Sequence, residues 1–263
     1  MDLGLDGKVA LVTGASAGIG LAIAQRLAAE GCEVAICARN TERLQRAAQD
    51  IGAKAWAQAA DLTQAKDAAE LAQALLARYG RLDILVNNAG GVAHMADFLD
   101  LNETDWEQAW QLNVMSAVRL CRLLVPTMRA QGWGRVINIA SESGIQPDPF
   151  MPHYNACKAA LINLGKSLSK AFAAKGVLCN TVSPAAVRTP LLEGMLSEQA
   201  RARNLPLEQV IAEFLASTRP HIELKRLGEP AEIAAVVAFL ASEQASFVNG
   251  ANWRVDGGSV ASL

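Results

Sequence analysis

Five largely apolar runs rich in Val and Ile, at residues 9–12, 34–37, 84–86, 136–139 and 177–182, are each bounded by Gly, Asn or Asp. Continuous rather than alternating hydrophobicity is the signature of strands buried on both faces. Between the runs lie Ala- and Leu-rich segments of helical spacing, at 18–30, 41–51, 64–79, 104–129 and 155–174. Strand followed by helix, repeated along a chain, predicts an α/β fold: a doubly wound parallel sheet with helices on both faces. Weaker strands are expected at 55–59 and 251–255, giving about seven in all. The composition suits this, since 51% of the 263 residues are hydrophobic and only 5% aromatic, so the core must be aliphatic.

No internal repeat or Gly/Ser linker divides the chain, which predicts one domain over residues 1–263. The rhythm breaks only at 189–227, where helix-like patches at 191–203 and 207–217 occur without a strand. An insertion at that point would lie at the carboxyl edge of the sheet, as a substrate lid or as an ordinary surface excursion. Thr104 and Glu107 have capping-box spacing, with Trp106 and Trp110 beginning an apolar face. The net charge of -2 with scattered basic residues excludes a nucleic-acid or anionic-membrane footprint. The longest apolar stretch, 233–241, falls short of the ~18 residues of a membrane span and reads as a buried helix. The acidic N-terminus lacks the charge of a signal peptide, so a cytoplasmic location is expected. Five cysteines, an odd number without CxxC spacing, predict buried thiols and no metal site.

The first strand runs into Thr13-Gly14-Ala15-Ser16-Ala17-Gly18-Ile19-Gly20 and then a helix. Missing side chains let the backbone N–H groups and the helix N-terminus approach a pyrophosphate. A tight strand-to-helix turn would also use glycine, but the position in the first βα unit is that of a dinucleotide site. The second strand closes with Ala38-Arg39-Asn40, where an NAD site would offer a carboxylate. Arg39 instead supplies a planar cation suited to the 2′-phosphate of NADP; a solvated loop would carry the same residue. Asp61-Leu62 follow the third strand, where a carboxylate can meet the adenine amino group or cap the next helix.

Tyr154 and Lys158 stand four residues apart at the start of a predicted helix, so they share a face. A phenol of pKa ~10 is a poor base near neutrality, and a neighbouring ammonium is expected to lower it. Ser141 ends the strand thirteen residues earlier; it can bond the same substrate oxygen, or simply form a turn.

Taken together, these residues resemble the short-chain dehydrogenase/reductase family, from about Leu5 to Gly258, through the glycine turn, Asp61, Asn87-Asn88-Ala89-Gly90, Asn113, Ser141, Tyr154 with Lys158, and Val255-Asp256-Gly257-Gly258. The resemblance implies a Rossmann-like fold and reversible hydride transfer between NADP(H) and a ketone or secondary alcohol. It makes Asn113, Ser141, Tyr154 and Lys158 catalytic, with Asn113 anchoring a water-linked proton relay through Lys158. Cofactor contacts fall to Gly14, Ser16, Gly18, Ile19, Gly20, Arg39, Asp61, Leu62, Asn88, Gly90, Tyr154, Lys158, Pro184, Val187 and Thr189, with Asn87 mainly structural. Two positions depart from the pattern: Ala185 stands where the family usually has glycine, and Ala17 where many NADP-type members carry a base. A homotetramer is implied, with 104–129, 155–174 and the C-terminal segment in its interfaces.

The expected substrate pocket reads Gly91-Val92-Ala93-His94-Met95, Ile145-Gln146-Pro147 and Leu191-Leu192, mainly apolar, which favours a small-molecule ketone of that character. His94 and His153 read as ordinary surface or helix-start residues. One alternative is a 3-oxoacyl thioester reductase, with which the basic scatter Arg201, Arg203, Arg219, Lys225 and Arg226 is compatible. A sugar dehydrogenase would want a polar pocket. A cofactor-sensing regulator without turnover would show an incomplete catalytic set, whereas all four residues are present.

Overall fold

The computed structural model describes residues 2–92 and 94–262, so that Met1, Ala93 and Leu263 lie outside the described residues. Seven parallel strands, β1 (Val9–Thr13), β2 (Glu33–Ala38), β3 (Ala55–Ala59), β4 (Ile84–Asn87), β5 (Gly134–Ile139), β6 (Val177–Pro184) and β7 (Asn252–Val255), form one sheet in the order β3-β2-β1-β4-β5-β6-β7. All five apolar runs and both weaker candidates are strands. Every residue of β1, β4 and β5 is buried, as unbroken hydrophobicity requires.

The helices are α1 (Gly18–Ala29), α2 (Thr41–Ile51), α3 (Ala65–Tyr79), α4 (Glu103–Trp110), α5 (Ser116–Gln131), α6 (Pro152–Phe172), α7 (Pro190–Arg203), α8 (Leu207–Ser217) and α9 (Pro230–Ala241). Successive side chains of β1 serve opposite faces. Ala10 and Val12 pack with Ile23 and Leu27 of α1 and Val237 of α9. Val9 and Leu11 pack with Leu71 of α3 and Leu120 and Leu124 of α5. The strand order reverses between β1 and β4, so the two halves of the sheet open a crevice at their carboxyl ends.

Three expectations about helices need correction. The capping box lies two residues before Thr104: Asn102 Oδ1 accepts from the N–H groups of Thr104 (2.9 Å) and Asp105 (3.2 Å), while Asp105 Oδ2 accepts from Asn102 N (3.0 Å). Asparagine caps at least as well as threonine, so the helix starts at the first available cap. The expected helix 104–129 is interrupted by a π-helical turn, Gln111–Met115, between α4 and α5. The helix expected from 155 starts at Pro152, whose fixed φ suits a first helical position.

Both patches of the 189–227 stretch are helices. They share a small apolar cluster of their own, including Leu196, Val210, Ile211 and Leu215, with Ala185 and Ala186 packed beneath. All five cysteines are buried free thiols. No helix among the described residues is long and apolar enough to cross a membrane.

Candidate active site

The loops after β1, β4, β5 and β6 meet at the crevice. There they line a groove of about 270 Å³ that includes Gly14, Ala17, Gly18, Ile19, Gly20, Asn88, Gly90, Ser141, Tyr154, Lys158, Pro184, Ala185 and Thr189. Eleven of these thirteen were expected site residues, the exceptions being Ala17 and Ala185. The glycine turn is locked to the segment after β4 through two side chains. Asn88 Nδ2 donates to the carbonyls of Thr13 (2.8 Å) and Gly14 (3.3 Å), and the Thr13 hydroxyl accepts from the N–H groups of Asn88 and Ala89. Asn88 is thus structural as well as groove-lining. Gly20 makes that bond possible, because a Cβ there would lie 2.5 Å from Asn88 Nδ2 and 2.6 Å from the Gly14 carbonyl oxygen. Asn87 behaves as the resemblance implies, its amide donating to Asn138 Oδ1 at 2.9 Å across β4 and β5.

Six expected residues lie outside the groove lining. Ser16 stands half-buried in the turn, and Arg39 is exposed at the end of β2 with no ion pair among the described residues. Asp61 does not cap α3; its Oδ1 accepts from Thr63 N (3.0 Å) and Thr63 Oγ1 (2.8 Å), and Gln64 takes the cap position. Leu62 is buried, its carbonyl accepting from Arg119. Val187 is buried and bridged to Gly228, and its carbonyl accepts from Thr189 N at 2.8 Å. Thr189 Oγ1 in turn accepts from Leu192 N and caps α7. Pinning by Gly228 holds the loop in place around Ala185, which needs no positive φ there.

Asn113, the sixth, occupies the π-helical turn, and that turn explains a polar side chain within an apolar helix. Its carboxamide pairs with the backbone of Gly91, accepting from Gly91 N and donating to Gly91 O, both at 3.0 Å, and also donates to Ala109 O at 3.0 Å. It stands across from Lys158. A Cβ on Gly90 would lie 2.8 Å from Asn113 Oδ1 and 3.1 Å from Lys158 Nζ, so only glycine leaves the space between them open.

Lys158 is buried, and its ammonium donates to the Ile139 carbonyl at 2.9 Å while lying over the Tyr154 ring, 5.4 Å from its centroid. Burial pushes the lysine down to about 8. Burial also pushes the Tyr154 phenol up to about 12, opposed first by the Ser141 hydroxyl and then by Arg219. Desolvation of the phenolate outweighs the two groups that oppose it. These shifts keep the phenol protonated beside an ammonium that gives up its proton more easily than an exposed lysine. Ser141 caps the turn that follows β5, its Oγ accepting from Ser143 N at 3.2 Å and Ser143 Oγ at 3.0 Å.

A larger cleft of about 770 Å³ adjoins the groove, and Ser141 and Tyr154 line both. Gly91, Val92, Met95, Leu191 and Leu192 line the cleft as expected, whereas Ala93 lies outside the described residues. His94 is turned towards Asp105, 3.7 Å away. Gln146 is turned to the C-terminal segment, donating to Ser259 O and accepting from Ala261 N, both at 3.2 Å, and residues 145–147 leave the lining to Ser143, Asp148, Phe150 and Met151. His153 is buried at the start of α6, its ring edge-on to Trp106. Sequence reasoning missed a polar trio in the cleft, Glu142, Asp148 and Arg219. Arg219 forms a two-pronged pair with Asp148 (2.7 and 3.0 Å) and lies 3.6 Å from Glu142. The signal available was Glu142 itself, an acid directly after the strand-end Ser141.

Residues 14–260 match the family model adh_short_C2, described as enoyl-(acyl carrier protein) reductase. The chain is 38% identical over its full length, and that of the relative, to the uncharacterized oxidoreductase YvaG of Bacillus subtilis. It is 34% identical to a D-beta-hydroxybutyrate dehydrogenase of Cupriavidus necator, covering 98% of this chain and 99% of the relative. Among solved structures, L-sorbose reductase from Gluconobacter frateurii, complexed with NADPH and L-sorbose, superposes with a TM-score of 0.95 at 34% identity, covering 100% of both chains.

Proposed function

The chain belongs to the short-chain dehydrogenase/reductase family, and from that premise we propose that it transfers a hydride between NADP(H) and a ketone or secondary alcohol, working as a ketone reductase. One observation carries this reading: Ser141 and the protonated phenol of Tyr154 stand where the nucleotide-sized groove meets the substrate cleft. The NADPH complex of the sorbose reductase relative supports the cofactor.

The residues in and around the groove fit such a cofactor, whose adenosine half would extend beyond the groove's lining. Gly14, Ser16, Gly18, Ile19 and Gly20 would cradle the pyrophosphate at the N-terminus of α1, with Asn88 and Gly90 beside the ribose. Arg39 would take the 2′-phosphate, Asp61 and Leu62 the adenine, and Pro184, Val187 and Thr189 the nicotinamide. NADPH supplies the hydride that is added to the carbonyl carbon. Ser141 and Tyr154 hydrogen-bond the carbonyl oxygen, and the phenol O–H breaks as the new alcohol O–H forms. Lys158 would bind the nicotinamide ribose; its charge stabilises the phenolate and it returns the proton, with Asn113 as the next polar group of the relay. Helices α7 and α8 act as a lid and present an apolar wall to the body of the substrate.

Two relatives, the 3-oxoacyl-[acyl-carrier-protein] reductases of Thermotoga maritima and Vibrio cholerae at 33% and 35% identity, favour a second reading, a 3-oxoacyl thioester reductase. A cofactor-sensing regulator is disfavoured by the complete set Asn113, Ser141, Tyr154 and Lys158. The test is loss of NADPH fluorescence on addition of a panel of ketones and 3-oxoacyl thioesters. Turnover on a ketone is expected, and cofactor binding without turnover on any member would overturn the enzyme reading.

The same reading includes a homotetramer in the cytoplasm. Leu123 on α5, Trp110 on α4 and the fully exposed Phe247 are apolar surface that a symmetric assembly would cover. Light scattering at micromolar concentration should return four chains; a monomer would refute it.

A further inference from the structure

The charged groups lining the cleft among the described residues are five: Glu142, Asp148, Arg203, Glu213 and Arg219. Four of them are consumed in pairs. Arg203 meets Glu213 at 2.7 Å, and Arg219 meets Asp148 at 2.7 Å. Glu142 is left over. It is 6% exposed, its Oε2 has no hydrogen-bond partner, and its Oε1 lies 3.6 Å from Arg219 Nε, beyond a good hydrogen bond. Burial pushes its carboxyl above the usual range, opposed by a hydrogen bond from the Ser259 side chain and by the charge of Arg219, so that Oε2 is the oxygen left without a partner.

Leaving a buried carboxylate unsatisfied is costly, so a ligand that donates to it gains more than an ordinary hydrogen bond. The location says which part of a ligand. Glu142 follows Ser141 directly in the chain and lines the same cleft as Ser141 and Tyr154. A donor that satisfies Glu142 must therefore sit next to the carbonyl being reduced. The cleft offers no uncommitted cation to an anionic substrate, and Glu142 would repel one.

We propose that Glu142 accepts a hydrogen bond from a hydroxyl on the carbon beside the reacting carbonyl, so that the substrates reduced here are neutral hydroxyketones. Arg219, anchored by Asp148, holds Glu142 in place as a positioning residue. The inference rests on the ketone-reductase reading and deepens it: an apolar body against α7 and α8, a hydroxyl against Glu142.

Hydroxyacetone and methoxyacetone are a matched pair, because both carry an electron-withdrawing oxygen beside the carbonyl but only the first can donate. Wild-type kcat/KM should favour hydroxyacetone by at least ~10-fold, as a site built around a substrate hydroxyl discriminates against an analogue lacking its donor. Acetoacetate should be the poorest of the three. In Glu142→Leu, which removes the acceptor, the preference should fall to about 2-fold or less, with the melting temperature recorded to confirm folding. If that variant fails to fold, Glu142→Gln, which keeps the size but loses the charge, should at least halve the preference. An equal rate on the matched pair in wild type, an unchanged preference in a folded variant, or acetoacetate reduced as well as hydroxyacetone would overturn the proposal while leaving the ketone reductase standing. No turnover on any ketone would overturn both.

Discussion

Replacing Gly20 by alanine should destabilise the protein, although the position lies in a helix, where alanine ordinarily gains ~1 kcal/mol over glycine. The new Cβ would stand 2.5 Å from Asn88 Nδ2, 2.6 Å from the Gly14 carbonyl oxygen and 3.0 Å from Ala15 Cα. Two of these three are backbone and cannot swing away, so the Asn88 amide must move and release its bonds to Thr13 O and Gly14 O. Overpacking costs ~1–3 kcal/mol, and stranding a buried carbonyl costs ~1–3 kcal/mol more. After the helix gain, the net loss is about 1–5 kcal/mol, or roughly 2–20 °C in melting temperature for a chain of this length. Differential scanning fluorimetry reads this directly. Gly194→Ala in α7 is the control, since its Cβ would meet nothing within 4 Å; it should melt slightly higher than wild type. Weaker NADPH binding should accompany the Gly20 defect, because the same bonds shape the turn. If Gly20→Ala melts at or above wild type with unchanged affinity, the argument from close approach is wrong.

Arg39→Asp should shift cofactor preference from NADP(H) towards NAD(H), by removing a cation and adding a ribose-hydroxyl acceptor; equal KM values before and after for both cofactors would reduce Arg39 to a solvated loop residue. Reductive kcat/KM should fall as pH rises through about 8, because Lys158 loses there the charge that stabilises the phenolate. A profile flat to pH ~10 would contradict that role.

The sheet was legible because burial on both faces writes itself as continuous Val/Ile runs, and because each loop between them is punctuated by Gly, Asn or Asp. The Tyr154/Lys158 pair was legible for a similar reason: a single helix face is encoded by local spacing. What the sequence hid is tertiary. Glu142 and Arg219 meet across 77 positions of chain, and Arg219 read as one more base in a scattered set until its partner Asp148 was in view. The π-helical turn at Gln111–Met115 left only an indirect trace, the misplaced polarity of Asn113. Nor could spacing reveal how deeply the fold buries Tyr154, and burial is what most raises its phenol. The apolar pocket expected from local runs was half right, since Val92, Met95, Leu191 and Leu192 do line it, but the polar trio joins Glu142 and Asp148 of the segment after β5 to Arg219, far along the chain.

The central claim is that Tyr154 gives its proton to the ketone oxygen, and Tyr154→Phe removes only that oxygen. Single-turnover and steady-state NADPH oxidation by this variant should show kcat reduced by ~10²–10⁴, the usual worth of a positioned general acid. NADPH affinity, followed by cofactor fluorescence, should stay within about 2-fold of wild type. If the variant instead keeps more than about a tenth of wild-type kcat, a loss below ~1.4 kcal/mol in transition-state stabilisation, then Tyr154 is not the acid.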